Sequence, residues 1–245
     1  MSEFIYGIHP VRELLKKRPA EVSEIVFSRK QTDLEDIILM AQKANLKIRS
    51  TSKEELDHLT GSKDHQGIIA KAPLPKNSSM NEIIEKSANK SNSLLVFLDQ
   101  IEDPQNLGAI IRNAECAGAD ALIIPEHKSA KITPAVHKAS AGALEWLVFA
   151  IVPNLVRAIE QAKANGFWAY GASPNAQTTL WETKFSPKTA IIIGSEAKGI
   201  RPLVQKTCDF QIRIPLYGNI QSLNAGSASA IVLYHYRNQF PGPCS

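Results

Sequence analysis

Three short stretches place polar, chemistry-bearing residues where apolar runs end. In Asp103-Pro104-Gln105-Asn106-Leu107-Gly108-Ala109-Ile110-Ile111-Arg112-Asn113-Ala114, a guanidinium follows a helix-opening signal. A guanidinium keeps its charge at ordinary pH, so Arg112 can donate to a developing anion but serves poorly as a base. In Ile191-Ile192-Ile193-Gly194-Ser195-Glu196-Ala197-Lys198-Gly199-Ile200, a carboxylate sits in a turn flanked by glycines. In Ile214-Pro215-Leu216-Tyr217-Gly218-Asn219-Ile220-Gln221-Ser222-Leu223-Asn224, a loop rich in Gly and Pro can expose main-chain N–H and C=O groups. Each stretch also has an ordinary reading. Arg112 can be a solvated surface arginine, the Glu196 turn a strand-to-helix corner, and Ser222 or Asn224 a helix cap.

The elements that must hold these residues follow from periodicity. Leu94–Leu98 reads as a buried strand, and a helix follows over Asn106–Ala117. Asp103 is its N-cap, Pro104 suits the first helical position and Gly118 closes it. Leu107, Ile110, Ile111, Ala114 and Ala117 form one apolar face, with Arg112 almost opposite. The apolar run before Gly194 predicts a strand over Ala190–Gly194. Asn224 leads into a small-residue helix reaching Asn238.

Taken together and in this order, the three stretches resemble the motifs of the SpoU (TrmH) family of RNA ribose 2'-O-methyltransferases, and most of all its bacterial 23S rRNA guanosine-specific members. The resemblance spans essentially the whole chain. It implies transfer of a methyl group from S-adenosylmethionine to a ribose 2'-hydroxyl, with no metal. It implies Arg112 as the catalytic donor, with Asn106, Glu196 and Asn224 completing the catalytic set. The cofactor would be held by Gly194, Ser195, Ile214, Leu216, Gly218, Ser222, Leu223 and Asn224. An α/β SPOUT domain with a parallel sheet and a deep trefoil knot is implied, as is a homodimer joined through the knot region and the last helix.

Composition sets the frame for this expectation. A hydrophobic share of 44% and a charged share of 21% describe an ordinary globular protein, and the net charge of +4 permits a polyanionic partner without demanding one. Met1-Ser2-Glu3-Phe4 lacks a basic, apolar leader pattern, and no apolar run is long enough to span a membrane, so the expected location is cytoplasmic. Cys116, Cys208 and Cys244 form no CxxC pair, which predicts neither a disulfide framework nor a zinc site. GxGxxG and GxxxxGK[ST] loops are absent, which argues against a Rossmann dinucleotide site and a P-loop.

Residues 1–72 alternate short strands and helices, the helices being His9–Lys17, Asp33–Ala44 and Lys53–Leu59. This unit resembles the small L30e-like RNA-binding domain that SpoU members carry. Residues 73–93 read as a linker with a short helix over Asn81–Ala88, and 94–245 as the methyltransferase domain. The second domain alternates apolar strands with helices, which predicts a parallel sheet covered on both faces. Trp146, Trp168 and Trp181 read as packing residues. Glu126-His127-Lys128-Ser129-Ala130-Lys131 reads as a solvated loop after a strand end.

The sequence departs from the family in its third motif. Ala225-Gly226-Ser227-Ala228 replaces the usual Val-Ser-Val-Ala, and His235 stands where Glu is usual. Smaller side chains there are expected to loosen the helix, Gly226 alone costing about 1 kcal/mol. Three further readings stay open at this level: a tRNA or other rRNA 2'-O-methyltransferase, a non-catalytic RNA-binding or ribosome-assembly protein, and a small-molecule-binding α/β protein.

Overall fold

The protein is described by a computed structural model covering residues 3–28 and 34–242. Two compact units emerge. One comprises residues 1–76 with 132–146, and the other residues 77–131 with 147–245.

The first unit begins with β1 (Glu3–Tyr6), α1 (Ile8–Lys17), β2 (Glu24–Ser28), α2 (Glu35–Lys43), β3 (Lys47–Thr51), α3 (Lys53–Thr60) and β4 (Ile68–Ala72). Its sheet has the order β1-β4-β2-β3, with β2 and β3 parallel and the other pairs antiparallel. Val11, Leu14 and Leu15 recur at helical spacing on α1 and are buried with Ile5, Ile25 and Ile68. The Ser52 hydroxyl accepts from Glu55 N–H at the start of α3, and Gly61 closes that helix in the left-handed region. His65 is buried, its ring bonded to Asp57 Oδ1 at 2.8 Å and accepting from Gly67 N–H, which makes it a structural residue. The expected start of α2 at Asp33 lies outside the described residues, as do Met1, Ser2 and Cys244.

The second unit opens with α4 (Met80–Ala88), β5 (Ser93–Asp99), α5 (Pro104–Cys116) and β6 (Ala121–Pro125). The capping box of α4 is complete, Ser79 and Glu82 each serving the other's backbone N–H. Met80, Ile83 and Ile84 bury α4 in the core of this unit. The chain then contributes α6 (Pro134–Ala139) to the first unit. It returns with β7 (Phe149–Val152), α7 (Leu155–Ala164), β8 (Trp168–Ala172), β9 (Thr178–Thr179), β10 (Lys188–Gly194), α8 (Pro202–Thr207), β11 (Phe210–Arg213) and α9 (Ala225–Gln239).

All seven strands of this unit run parallel in the order β7-β6-β5-β10-β8-β11-β9. The α/β class and the parallel sheet expected from the sequence are thus present. Every residue of β5 is buried, as a strand covered on both faces requires. The chain leaves β5 toward β6 and β7, then crosses to β8 and comes back to insert β10 beside β5. The carboxyl ends of β5 and β10 therefore flank a topological switch point, where open α/β sheets bind their ligands.

The tryptophans differ from expectation. Trp146, Trp168 and Trp181 are 43%, 49% and 53% exposed, each covered on one side only. Lys17 Nζ lies over the Trp146 ring, Trp168 packs on Phe210 and Trp181 on His235. Trp168 opens an interior strand and the other two sit at short helical turns, where an indole finds partners on one face, which residue type alone does not reveal.

Candidate active site

Asp99, the last residue of β5, is fully buried and accepts the Arg201 backbone N–H at 2.7 Å and its Nε at 2.7 Å. This pairing fastens the start of α8, and with it the turn after β10, across the switch point. The turn itself depends on Gly194. A Cβ there would lie 2.2 Å from the carbonyl carbon of Gly199, because Ser195 and Gly199 pair their backbones closely. Gly199 adopts φ +63°, and the turn carries Glu196 outward.

After β5 the chain turns at Gln100, and Asp103 Oδ1 accepts from Gln105 N–H to cap α5. Asn106 thereby stands in the first turn of α5. Asn224 caps α9, its Oδ1 accepting from the N–H groups of Gly226 and Ser227. These three loops converge. Asn106 Nδ2 donates to Glu196 Oε1 at 3.0 Å, and Asn224 Nδ2 donates to the same oxygen at 2.5 Å and to Asn106 Oδ1 at 2.8 Å. Ala225 N–H adds a further bond to Oε1 at 3.0 Å. One carboxylate oxygen thus gathers three donors and fixes both amides, while Glu196 Oε2 has no partner among the described residues.

The α5–α9 contact explains why the small residues of the third motif do not loosen its helix. A Cβ on Gly226 would lie 2.9 Å from Ala109 Cβ. The glycine lets the helices approach until Asn113 Nδ2 donates to the Gly226 carbonyl at 2.8 Å and to Ser229 Oγ at 2.9 Å. The expectation of a looser helix is therefore corrected: small size here permits close packing, and that gain opposes the helix-propensity cost.

A cavity of about 370 Å³ opens beside this cluster. Of the residues expected to hold a cofactor, Gly194, Ser195, Ile214, Leu216, Ser222 and Leu223 line it, together with Glu196. Gly218 does not line it, and Asn224 turns instead to Glu196 and Asn106. Ala172, Ser173, Pro174, Asn175 and Ala228 are additions the sequence did not suggest. For Ala172–Asn175 the available signal was position alone, since Ala172 ends β8 and the others follow it. From Leu216 to Leu223 no group makes a hydrogen bond within the described residues.

A second recess, of about 220 Å³, is lined by Gln100–Asp103 and Asn106, and it shares the Ser195–Lys198 wall and Ala225 with the cavity. Arg112 lines neither. It is exposed on α5, and its guanidinium has no hydrogen-bond or ion-pair partner among the described residues, Glu115 included. Six helical positions separate it from Asn106, roughly 9 Å along and about 240° around the helix. The described residues contain no cluster of three His, Cys, Asp or Glu side chains able to hold a metal ion, and no helix long and apolar enough to cross a membrane.

Comparison with known proteins places this geometry. Residues 93–234 match the SpoU rRNA Methylase family, and residues 4–78 match the RNA 2'-O ribose methyltransferase substrate binding family. The chain belongs to the SpoU rRNA methylase family. Among relatives of this SpoU chain, the 23S rRNA (guanosine-2'-O-)-methyltransferase RlmB of Vibrio vulnificus is 36% identical, covering 95% of each chain. The RlmB of Haemophilus influenzae is 34% identical over 98% of each. The SpoU methyltransferase AviRb of Streptomyces viridochromogenes, solved with AdoMet, superposes with a TM-score of 0.78 at 22% identity, covering 98% of this chain and 92% of that one, which supports the fold.

Proposed function

We propose that this SpoU chain methylates the 2'-hydroxyl of a guanosine ribose in 23S rRNA, with S-adenosylmethionine as donor. The observation that carries the reading is the Asn106–Glu196–Asn224 cluster at the wall shared by the cavity and the recess. A cofactor in one and a ribose in the other meet there. The full-length likeness to RlmB proteins supports guanosine and rRNA over tRNA.

The cavity fits the cofactor on chemical grounds. Ile193, Ile214 and Leu223 offer apolar walls to an adenine ring. The unpaired main-chain groups of Leu216–Leu223 offer donors and acceptors to polar atoms. When bound, the cofactor supplies a sulfonium-activated methyl group. The chain's task is then alignment and charge control. Asn106 and Asn224, fixed through Glu196, orient the ribose hydroxyl toward the shared wall. Arg112 stabilises the alkoxide as the hydroxyl proton passes to water or to a phosphate oxygen of the RNA.

Because Arg112 stands away from the recess of its own chain, we read the enzyme as a homodimer in which Arg112 reaches the partner's recess. The trefoil knot and a cytoplasmic location belong to the same reading, as does RNA binding by the first, L30e-like unit; the expected linker 73–93 is not free chain throughout, since α4 within it is buried in the core of the second unit. The non-catalytic alternative rested on the altered third motif, which the Gly226 contact now explains.

The test is transfer of labelled methyl from S-adenosylmethionine to unmodified rRNA and tRNA in parallel, followed by nucleoside digestion. Label in 2'-O-methylguanosine of rRNA alone is expected. Label in tRNA moves the substrate, and neither label nor calorimetric cofactor binding overturns the reading. Within the cavity, Gly194→Ala is expected to weaken cofactor binding at least tenfold, about 1.4 kcal/mol, since its Cβ must displace the Gly199 backbone. Gly199→Ala meets open space and carries only left-handed strain of about 1–2 kcal/mol, so its calorimetric affinity is expected to fall less.

A further inference from the structure

The recess beside the cavity contains a side chain whose chemistry the fold does not use. Gln100 is only 9% exposed and lines the recess, yet its amide has no hydrogen-bond partner among the described residues. The amide atoms are not sealed inside the protein, so they stay available to a ligand that enters the recess. Its backbone is also in the left-handed region, at φ +60°, which non-glycine residues seldom adopt. Of the four charged side chains that line the same recess, Asp103 and Glu196 are engaged, whereas Glu102 and Lys198 make no ion pair or side-chain hydrogen bond among the described residues. The other polar groups there are engaged: Asp103 caps α5 and Asn106 is held by Glu196 and Asn224.

We propose that this recess receives the base of the target nucleotide, with Gln100 and Glu102 as its specificity-determining residues and guanine as the base they select. The inference rests on the methyltransferase reading and adds the residues that choose the substrate. A base in the recess leaves its ribose at Asn106, beside the wall shared with the cofactor cavity. RNA enzymes reach such a nucleotide by unstacking it and reading its Watson–Crick edge. Guanine presents N1–H and N2–H donors side by side, which match the two oxygens of a carboxylate, and an adjacent O6 acceptor. Glu102 takes the two donors, and the Gln100 amide donates to O6. Lys198 neutralises the acceptor side. Adenine turns a lone pair at N1 toward Glu102 and leaves the Gln100 N–H facing the N6 amino group. A site built on such bonds rejects the mismatched base strongly, because its own polar groups are left unpaired.

The experiment uses the full-length protein and rRNA transcripts carrying guanosine, inosine or adenosine at the methylated position, mapped beforehand with wild-type enzyme. Wild-type kcat/KM is expected to fall in the order guanosine, inosine, adenosine, inosine suffering for the missing N2–H. Glu102→Gln presents an amide that can pair with adenine, and is expected to shrink the guanosine-to-adenosine ratio at least tenfold. Gln100→Ala is expected to lower kcat/KM on guanosine and inosine alike, since both carry O6. Cofactor affinity by calorimetry is expected to stay unchanged in both variants, because neither residue lines the cavity. An active wild type whose base preference is the same in Glu102→Gln and Gln100→Ala overturns the proposal while leaving the methyltransferase reading intact. A wild type that binds no cofactor and labels no RNA overturns both.

Discussion

Arg112→Ala is expected to lower single-turnover methyl transfer by about 10²–10³-fold, the loss typical of one preorganised donor to a developing oxyanion, with cofactor affinity unchanged. Arg112 is exposed and has no hydrogen-bond or ion-pair partner among the described residues, and it does not line the cavity. Its removal therefore disturbs neither packing nor the cofactor walls. Arg112→Lys is expected to recover only part of the rate, since an ammonium keeps the charge but not the planar fork of donors. The position of Arg112, about 240° around α5 from Asn106, adds a sharper expectation. In the proposed homodimer, mixing Arg112→Ala protomers with Glu196→Ala protomers is expected to restore activity, because one composite site in each mixed dimer would keep both residues. Mixtures no more active than their components would return Arg112 to its own chain.

How far the site was readable from sequence depends on how locally each part is encoded. β5 and β10 declare themselves because strands buried on both faces are continuous apolar runs. The start of α5 is written in Asp103 and Pro104, whose cap is present. Asn106, Glu196 and Asn224 are different. They are separated by 90 and 28 positions, and no periodicity joins them; they could be grouped only through the resemblance of three motifs to one family. The Ala172–Asn175 side of the cavity had no such help, being a plain loop that matters only because β10 inserts beside β8. Gly226 was misread because propensity counts the helix alone, whereas the structure presses that helix against Ala109. Residues 132–146 show the same limit. Thr133 and Pro134 announce a helix, but nothing local says that it folds with a unit whose other residues lie before position 77.

That excursion supports the second large expectation, on stability. Glu145 has a side chain with no exposure, and it accepts from Arg18 Nε at 2.7 Å and Nη2 at 2.9 Å, and from His137 Nε2 at 2.7 Å. His137 is equally buried, and its Nδ1 has no partner. Glu145→Ala leaves the buried His137 imidazole without its acceptor and Arg18 with only Glu21 and the Pro73 carbonyl, and is expected to destabilise the first unit by about 3 kcal/mol, the low end for a broken buried pair. Glu145→Gln keeps the shape and one acceptor, so a smaller loss is expected. The pH dependence has a definite sign. Burial pushes the Glu145 carboxyl up, but the hydrogen bonds from His137 and Arg18 outweigh it and hold the group below the ordinary carboxylate range. Its contribution is therefore complete above the unfolded value of about 4.3 and is lost as pH falls through the lower folded value. Urea denaturation of wild type and Glu145→Ala at pH 7 and in acid checks this: the gap between them is expected to narrow on acidification. A gap that does not depend on pH would mean that lost packing, rather than the paired charge, is what Glu145 contributes.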